Sequence, residues 1–163
     1  MQLINIKKPS EYAHLGADVP CFIYQKDCLV TGIGEKVSHQ SFPKYYFLLV
    51  KPKFNNSTEK MYKSLDLDIK LFIENNYPKE THLGNDTGND FEKIAMKDQA
   101  EFREIIKFLS NLEHAIFSRM TGTGSCCYAA FEKKEHALKA NKVFNSQFSG
   151  LWTFVCENNY IAN

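Results

Sequence analysis

Asp18 lies in the stretch Leu15-Gly16-Ala17-Asp18-Val19-Pro20, one carboxylate between a glycine and a proline. A carboxylate projecting from a rigid turn can accept the proton of a substrate hydroxyl, or steer that hydroxyl toward a phosphate. The everyday use of an aspartate between a helix and a strand is plainer: it forms a turn or caps a helix. Far downstream, Thr121-Gly122-Thr123-Gly124-Ser125 places two glycines in a strand-to-strand loop. Glycines there let backbone N–H groups approach an anion closely, and they equally suit a tight hairpin with no ligand. Thr58 and Tyr62 fall one helical turn apart and share a face. A helix start can attract a phosphate, and a tyrosine ring can stack on a nucleobase. The competing reading is a capped helix with Tyr62 in the core.

These residues need elements to hold them. Ser10 to Leu15 predicts a short helix, with Ser10 as N-cap and Gly16 just past its end. Cys21–Tyr24 and Cys28–Thr31 are short apolar runs around Gln25-Lys26-Asp27, the pattern of a hairpin, and Gly32-Ile33-Gly34-Glu35 breaks it as a turn. Tyr45–Val50 is a continuous apolar run, the mark of a strand buried on both faces, and Pro52 ends it. Asn56-Ser57-Thr58-Glu59 reads as a capped helix start, with Met61, Tyr62 and Leu65 on one face. Asp68–Asn75 predicts a further helix, and 78–88 a surface loop.

Asn89-Asp90-Phe91-Glu92 opens another helical pattern. Gln99–Leu112 is the clearest amphipathic helix, with Phe102, Ile105, Ile106 and Leu109 on its apolar stripe. Strands are predicted over Ala115–Arg119 and Cys126–Phe131, joined by the glycine turn. A helix follows over Lys133–Phe148, with Ala137, Ala140, Val143 and Phe144 inward, then a strand over Trp152–Cys156. The fold class is α+β: a ferredoxin-like split βαβ plan, one antiparallel sheet with helices on one face. A domain boundary is expected near His39–Lys44, dividing residues 1–42 from 43–163.

Composition limits the partners. Twenty basic and 19 acidic side chains leave a net charge of +1, which gives no electrostatic case for nucleic acid or an anionic membrane. Five cysteines without a CxxC pair read as reduced, mostly buried thiols, and the five histidines are scattered without ligand spacing, so no metal site is expected. The longest apolar run is too short to span a bilayer, and Met1–Ser10 has neither signal-peptide nor transit-peptide character.

In the order LGADVP, GIGE, a strand ending in VKP, NSTEKMY, NDFE and TGTGSC, the chain resembles the GHMP kinases from about Tyr12 to Cys156. Within them it is most similar to the branch acting on 4-diphosphocytidyl-2-C-methyl-D-erythritol, more so than to the homoserine or mevalonate branches. The resemblance implies ATP-dependent phosphorylation of the substrate's 2-hydroxyl, in the non-mevalonate route to isoprenoid precursors, with ATP and Mg as co-substrate.

Asp18 matches the catalytic aspartate, Thr58 a threonine beside the substrate, and Tyr62 an aromatic that packs on the cytosine ring. Gly122, Thr123 and Gly124 match the third superfamily motif, whose loop closes on the active site. GIGE and NDFE read as structural, a turn and a helix start. The resemblance implies a GHMP kinase C-terminal domain over 43–163, preceded by a remnant of the N-terminal, ribosomal S5-like domain. It further implies a cytoplasmic monomer or homodimer whose partner is a small molecule, not nucleic acid or membrane.

Relatives also carry an N-terminal lysine and a phosphate loop of the PMGAGLGGGSSNAA kind. This chain has no glycine before Gly16, so its first residues cannot build such a cradle. The chain therefore reads as the back half of an enzyme. By itself it is expected to bind ATP poorly, with residues 1 to about 42 less stable than the rest. The competing classes are a non-catalytic remnant and a ferredoxin-like module for a small ligand or RNA, in which Phe117 and Tyr128 would be the base-reading rings.

Overall fold

The computed structural model describes residues 8–65 and 88–158. The helix predicted over Asp68–Asn75, and all but the last residue of the predicted 78–88 loop, lie outside them. The chain divides into two compact units between Pro43 and Lys44.

In the first unit a 3-10 helix runs over Pro9–Leu15, followed by helix α1 (Val19–Tyr24) and strands β1 (Cys28–Thr31) and β2 (Lys36–His39). Pro9 rather than Ser10 opens the 3-10 helix, and no side chain caps it. The fixed φ of proline suits a first helical position, where its missing N–H costs nothing.

The hairpin predicted around Gln25-Lys26-Asp27 is not formed, because Cys21–Tyr24 belongs to a helix. Pro20 stands in the first turn of α1, and Gln25 ends it in the left-handed region at φ 53°. The true hairpin pairs β1 with β2 antiparallel, Cys28 opposite His39 and Thr31 opposite Lys36, and Gly32–Glu35 is its turn.

Gly34 has φ 103°, and a Cβ there would run into the Ala17 carbonyl. Ala17 directly precedes Asp18, so this turn is the seat on which the aspartate segment rests. Glu35 steadies the same turn: its carboxylate accepts from Ile33 N–H at 2.7 Å. Hydrogen bonds from backbone N–H groups hold the Glu35 carboxyl below the usual carboxylate range.

The second unit holds β3 (Tyr46–Lys51), α2 (Thr58–Ser64), α3 (Asp90–Asp98), α4 (Ala100–Ser110), β4 (Phe117–Met120), β5 (Cys127–Phe131), α5 (Lys134–Gln147) and β6 (Trp152–Glu157). The sheet is antiparallel in the order β4-β5-β3-β6. Its register sets Leu48 opposite Ala129 and Val155, and Leu49 opposite Tyr128 and Phe154. This is the expected split βαβ plan.

Side chains alternate across the pleat. Leu48, Val50, Cys127, Ala129 and Phe131 meet Phe102, Ile105, Leu109 and Phe144 of α4 and α5 in one core. Each such aliphatic or aromatic side chain contributes about 1.5–3 kcal/mol on burial.

Two expectations fail here for the same geometric reason. Tyr45–Val50 is not buried on both faces, because the described helices cover only one; Phe47 and Leu49 stay half-buried on the other. Val143 does not point inward but is 43% exposed. On the face away from the helices, Phe117 and Tyr128 pack edge-on with ring centroids 6.0 Å apart. Phe117 is only 8% exposed, so it offers no open platform to a base.

All five cysteines are free thiols, as composition predicts, but only Cys127 is buried; the other four are half-buried. Among the described residues no helix is long and apolar enough to cross a membrane.

Candidate functional site

The glycine loop is built by the ends of two strands and held from both sides. Thr121 N–H donates to Cys126 O at 2.9 Å and Gly124 N–H to Thr121 O at 2.8 Å, closing the turn between β4 and β5. Gly124 has φ 86°, and a Cβ there would meet Asn56 Nδ2 and Met120 Sδ, each at 2.6 Å. The conformation favours glycine, and any larger residue would also push the Asn56 amide and the Met120 side chain aside.

The loop's carbonyls face side-chain amides. Asn56 Nδ2 donates to Thr123 O at 2.9 Å. Asn89 Nδ2 donates to Met120 O at 2.9 Å and to Gly122 O at 2.7 Å. At the far end Ser125, 2% exposed, donates through Oγ to Phe54 O at 2.6 Å. Lys51, the last residue of β3, donates to Ser125 Oγ at 2.8 Å and also to Pro52 O, Phe54 O and Asn55 Oδ1. Among the described residues the backbone N–H groups of Gly122 and Thr123 have no acceptor. With the Gly122 and Thr123 carbonyls held and, among the described residues, their two N–H groups unused, the loop presents the polarity that an anion needs.

Helix α2 meets this loop at its first residue. Thr58 Oγ1 and Thr123 Oγ1 are hydrogen-bonded at 3.2 Å. Within the predicted capped start it is Ser57 that caps α2, by accepting from Lys60 N–H, which leaves Asn56 for the loop.

One turn on, Tyr62 is 61% exposed, not part of the core. Its ring stands edge-on to Phe91, centroids 4.9 Å apart and planes at 71°. The T-shaped contact restrains the Tyr62 ring while the residue stays largely exposed, which suits a stacking platform. Tyr62, Asn89, Phe91 and Gly122 line a cavity of about 530 Å³, within the usual size range of small-molecule sites.

Thr58, Tyr62, Gly122, Thr123 and Gly124 are thus gathered in one unit. Asp18 belongs to the other. It precedes α1, its side chain makes no capping hydrogen bond, and it is exposed. Its backbone carbonyl accepts from Cys21 Sγ at 3.0 Å and from Phe22 N–H at 3.3 Å. The peptide is fixed by these contacts and the carboxylate is left over. Among the described residues no three His, Cys, Asp or Glu side chains converge as ligands for a metal ion.

Sequence reasoning missed Asn56, Asn89 and Gly34. Asn56 and Asn89 carry the ordinary signal of helix caps, which hides a second use. Gly34 carries the signal of any hairpin turn.

Residues 79–150 match the family described as GHMP kinases C terminal. The 4-diphosphocytidyl-2-C-methyl-D-erythritol kinase of Haemophilus ducreyi is 35% identical over 151 residues, covering 91% of this chain and 49% of that protein. The protein of the same name from Francisella tularensis subsp. novicida is 38% identical over 130 residues, covering 78% and 44%. The chain spans about half the length of these curated relatives.

Among solved structures, a 4-(cytidine 5′-diphospho)-2C-methyl-D-erythritol kinase superposes with a TM-score of 0.66 at 20% identity, covering 93% of this chain and 57% of that one. A homoserine kinase from Cytophaga hutchinsonii gives 0.55 at 14% identity, covering 94% and 58%. At these identities the two structures speak to the fold.

Proposed function

From the premise that this chain carries a GHMP kinase C-terminal domain, with curated relatives that are 4-diphosphocytidyl-2-C-methyl-D-erythritol kinases, we propose that it is the C-terminal portion of such a kinase. The reaction passes the γ-phosphate of ATP to the 2-hydroxyl of the methylerythritol moiety. Residues 1–42 are then the end of the preceding kinase domain, and the enzyme works in the cytoplasm on a small diffusible substrate.

The observation that carries this reading is the Thr58–Thr123 hydrogen bond. It joins the helix bearing the exposed Tyr62 ring to the glycine loop, in which the Gly122 and Thr123 N–H groups are unused among the described residues. A cytidine diphosphate has a flat base at one end and phosphates at the other, and both needs are met within this one unit. Tyr62 stacks on the cytosine, worth about 1–3 kcal/mol for a base on an aromatic ring. The N–H groups of Gly122 and Thr123 face phosphate oxygens, and the Thr58 hydroxyl lies between the two ends.

Asp18 accepts the proton of the 2-hydroxyl as that oxygen attacks the γ-phosphorus and the bond to ADP breaks. The exposed, uncapped carboxylate supports that role. The described residues offer no ligand cluster for magnesium, and no step is assigned to it.

The test uses the longer protein that contains this segment. Asp18→Asn is expected to lower kcat by at least about 100-fold with substrate affinity retained. Tyr62→Ala is expected to weaken substrate binding with kcat largely kept. Unchanged turnover in the Asp18 variant sinks the assignment.

A further inference from the structure

The motif Asn89-Asp90-Phe91-Glu92 does more than start a helix. Asn89 Oδ1 accepts from Phe91 N–H at 3.0 Å, which is the cap. Its amide nitrogen is then free to act elsewhere, and it grips Met120 O and Gly122 O. Glu92, one turn along α3, accepts from Met120 N–H at 2.7 Å. The N–H and the C=O of Met120 are therefore both held by the first turn of α3. Met120 is the last residue of β4, directly before the glycine loop. It is 2% exposed, so neither group has water as an easy alternative.

We infer that Asn89 and Glu92 are positioning residues for the glycine loop, setting the direction of its N–H groups through Met120 and Gly122. Neither need touch the ligand. Asn89 turns the Gly122 carbonyl toward α3, and the Gly122–Thr123 peptide that carries it must present its N–H on the opposite side. Glu92 fixes the peptide from which the loop departs. The ligand part of this inference rests on the proposed cytidine diphosphate site; the loop part does not.

Two variants of Asn89 separate positioning from capping and from charge. Asn89→Asp keeps the cap oxygen and removes both amide donors. Asn89→Ser also keeps a capping oxygen, is neutral, and is too short to reach the loop. The first readout is hydrogen exchange in the 163-residue chain. Both variants are expected to speed exchange of the Thr121 and Gly124 amides at least about tenfold, with the midpoint of thermal unfolding little changed.

The second readout compares cytidine with cytidine 5′-diphosphate by calorimetric titration. Cytidine affinity in the same variant is the reference against which the diphosphate is read. The preference for the diphosphate over cytidine is expected to fall about tenfold, the loss of one or two hydrogen bonds. Glu92→Ala is expected to act in the same direction.

Unchanged loop exchange in both Asn89 variants overturns the inference whatever the ligands do. A lost diphosphate preference in the Asp variant alone also overturns it, since charge repulsion then suffices. If the unaltered chain binds neither cytidine nor its diphosphate, the cytidine site falls, and loop exchange alone decides the positioning role.

Discussion

Lys51, the last residue of β3, and Ser125, at the far end of the glycine loop, share a hydrogen bond of 2.8 Å from Nζ to Oγ. The ammonium has three protons and faces four acceptors: Ser125 Oγ, Pro52 O, Phe54 O and Asn55 Oδ1. Removing one acceptor leaves it fully used, while removing the ammonium takes the donor from Pro52 O and Asn55 Oδ1 and leaves Phe54 O with Ser125 alone. Ser125→Ala is therefore expected to cost under about 1 kcal/mol, and Lys51→Met about 2–3 kcal/mol. Urea denaturation of the two variants checks the order. Equal costs would show that Lys51 is not the organising group.

Gly34 is where the turn between β1 and β2 abuts the segment bearing Asp18. At φ 103° an alanine is strained, and its Cβ is directed at the Ala17 carbonyl. Gly34→Ala is expected to destabilise the first unit by about 1–3 kcal/mol and to displace Asp18. In the proposed kinase the expected signature is a fall in kcat with little change in substrate affinity. A variant with wild-type turnover would separate this turn from the aspartate.

Protection from hydrogen exchange is expected to differ between the two units. Among the described residues of the first, only Pro20 and Gly34 are buried, whereas the second has a continuous core of aliphatic and aromatic side chains. Amides of β1 and β2 should exchange at least about tenfold faster than those of β3 and β5. Equal protection in mass-resolved exchange would refute this.

Cys127 is fully buried, and burial pushes its thiol far above the ordinary cysteine range. In the native protein it is expected to resist maleimide at neutral pH while Cys21, at the surface of α1, is labelled. Full labelling of five thiols is expected only in denaturant. Rapid native labelling of Cys127 would contradict the sheet register.

The Glu113 carboxyl is held below its usual range, chiefly by the hydrogen bond from Lys139 at 2.6 Å, then by that ammonium's charge and His114. A lowered native pKa contributes stability above the unfolded value of about 4.5, and that contribution disappears as pH falls through the native value. The pair is exposed, so the effect is small. Glu113→Gln is expected to have a slightly lower urea midpoint than wild type at pH 7 and the same midpoint near the bottom of the acid limb. A gap that widens on acidification would reverse the sign.

Much of the second unit is legible in the residues themselves. Tyr45–Val50 announces a strand by its unbroken apolar run, and Phe102, Ile105, Ile106 and Leu109 announce α4 by their spacing. Cys21–Tyr24 misleads because a short apolar run has no periodicity to tell helix from strand. Pro20 at a first-turn position was the available clue. Burial on one face only could not be read from β3, since the sequence of a strand does not state which face the helices take. Asn89 shows a different limit. One side chain uses its oxygen for a local cap and its nitrogen for a partner in β4, and only the local half follows from sequence spacing.

The strand order leaves a mark on how the chain is made. β3 is the first strand of the second unit to leave the ribosome, yet its two neighbours, β5 and β6, are translated last among the described strands. At ordinary synthesis rates that interval is on the order of ten seconds. Until β5 is made the Tyr46-to-Lys51 ribbon has neither of its sheet partners, and until β6 follows one backbone edge stays unsatisfied. Newly made protein is thus at its most vulnerable to clumping or chaperone capture until Trp152–Glu157 arrives to seal the second edge.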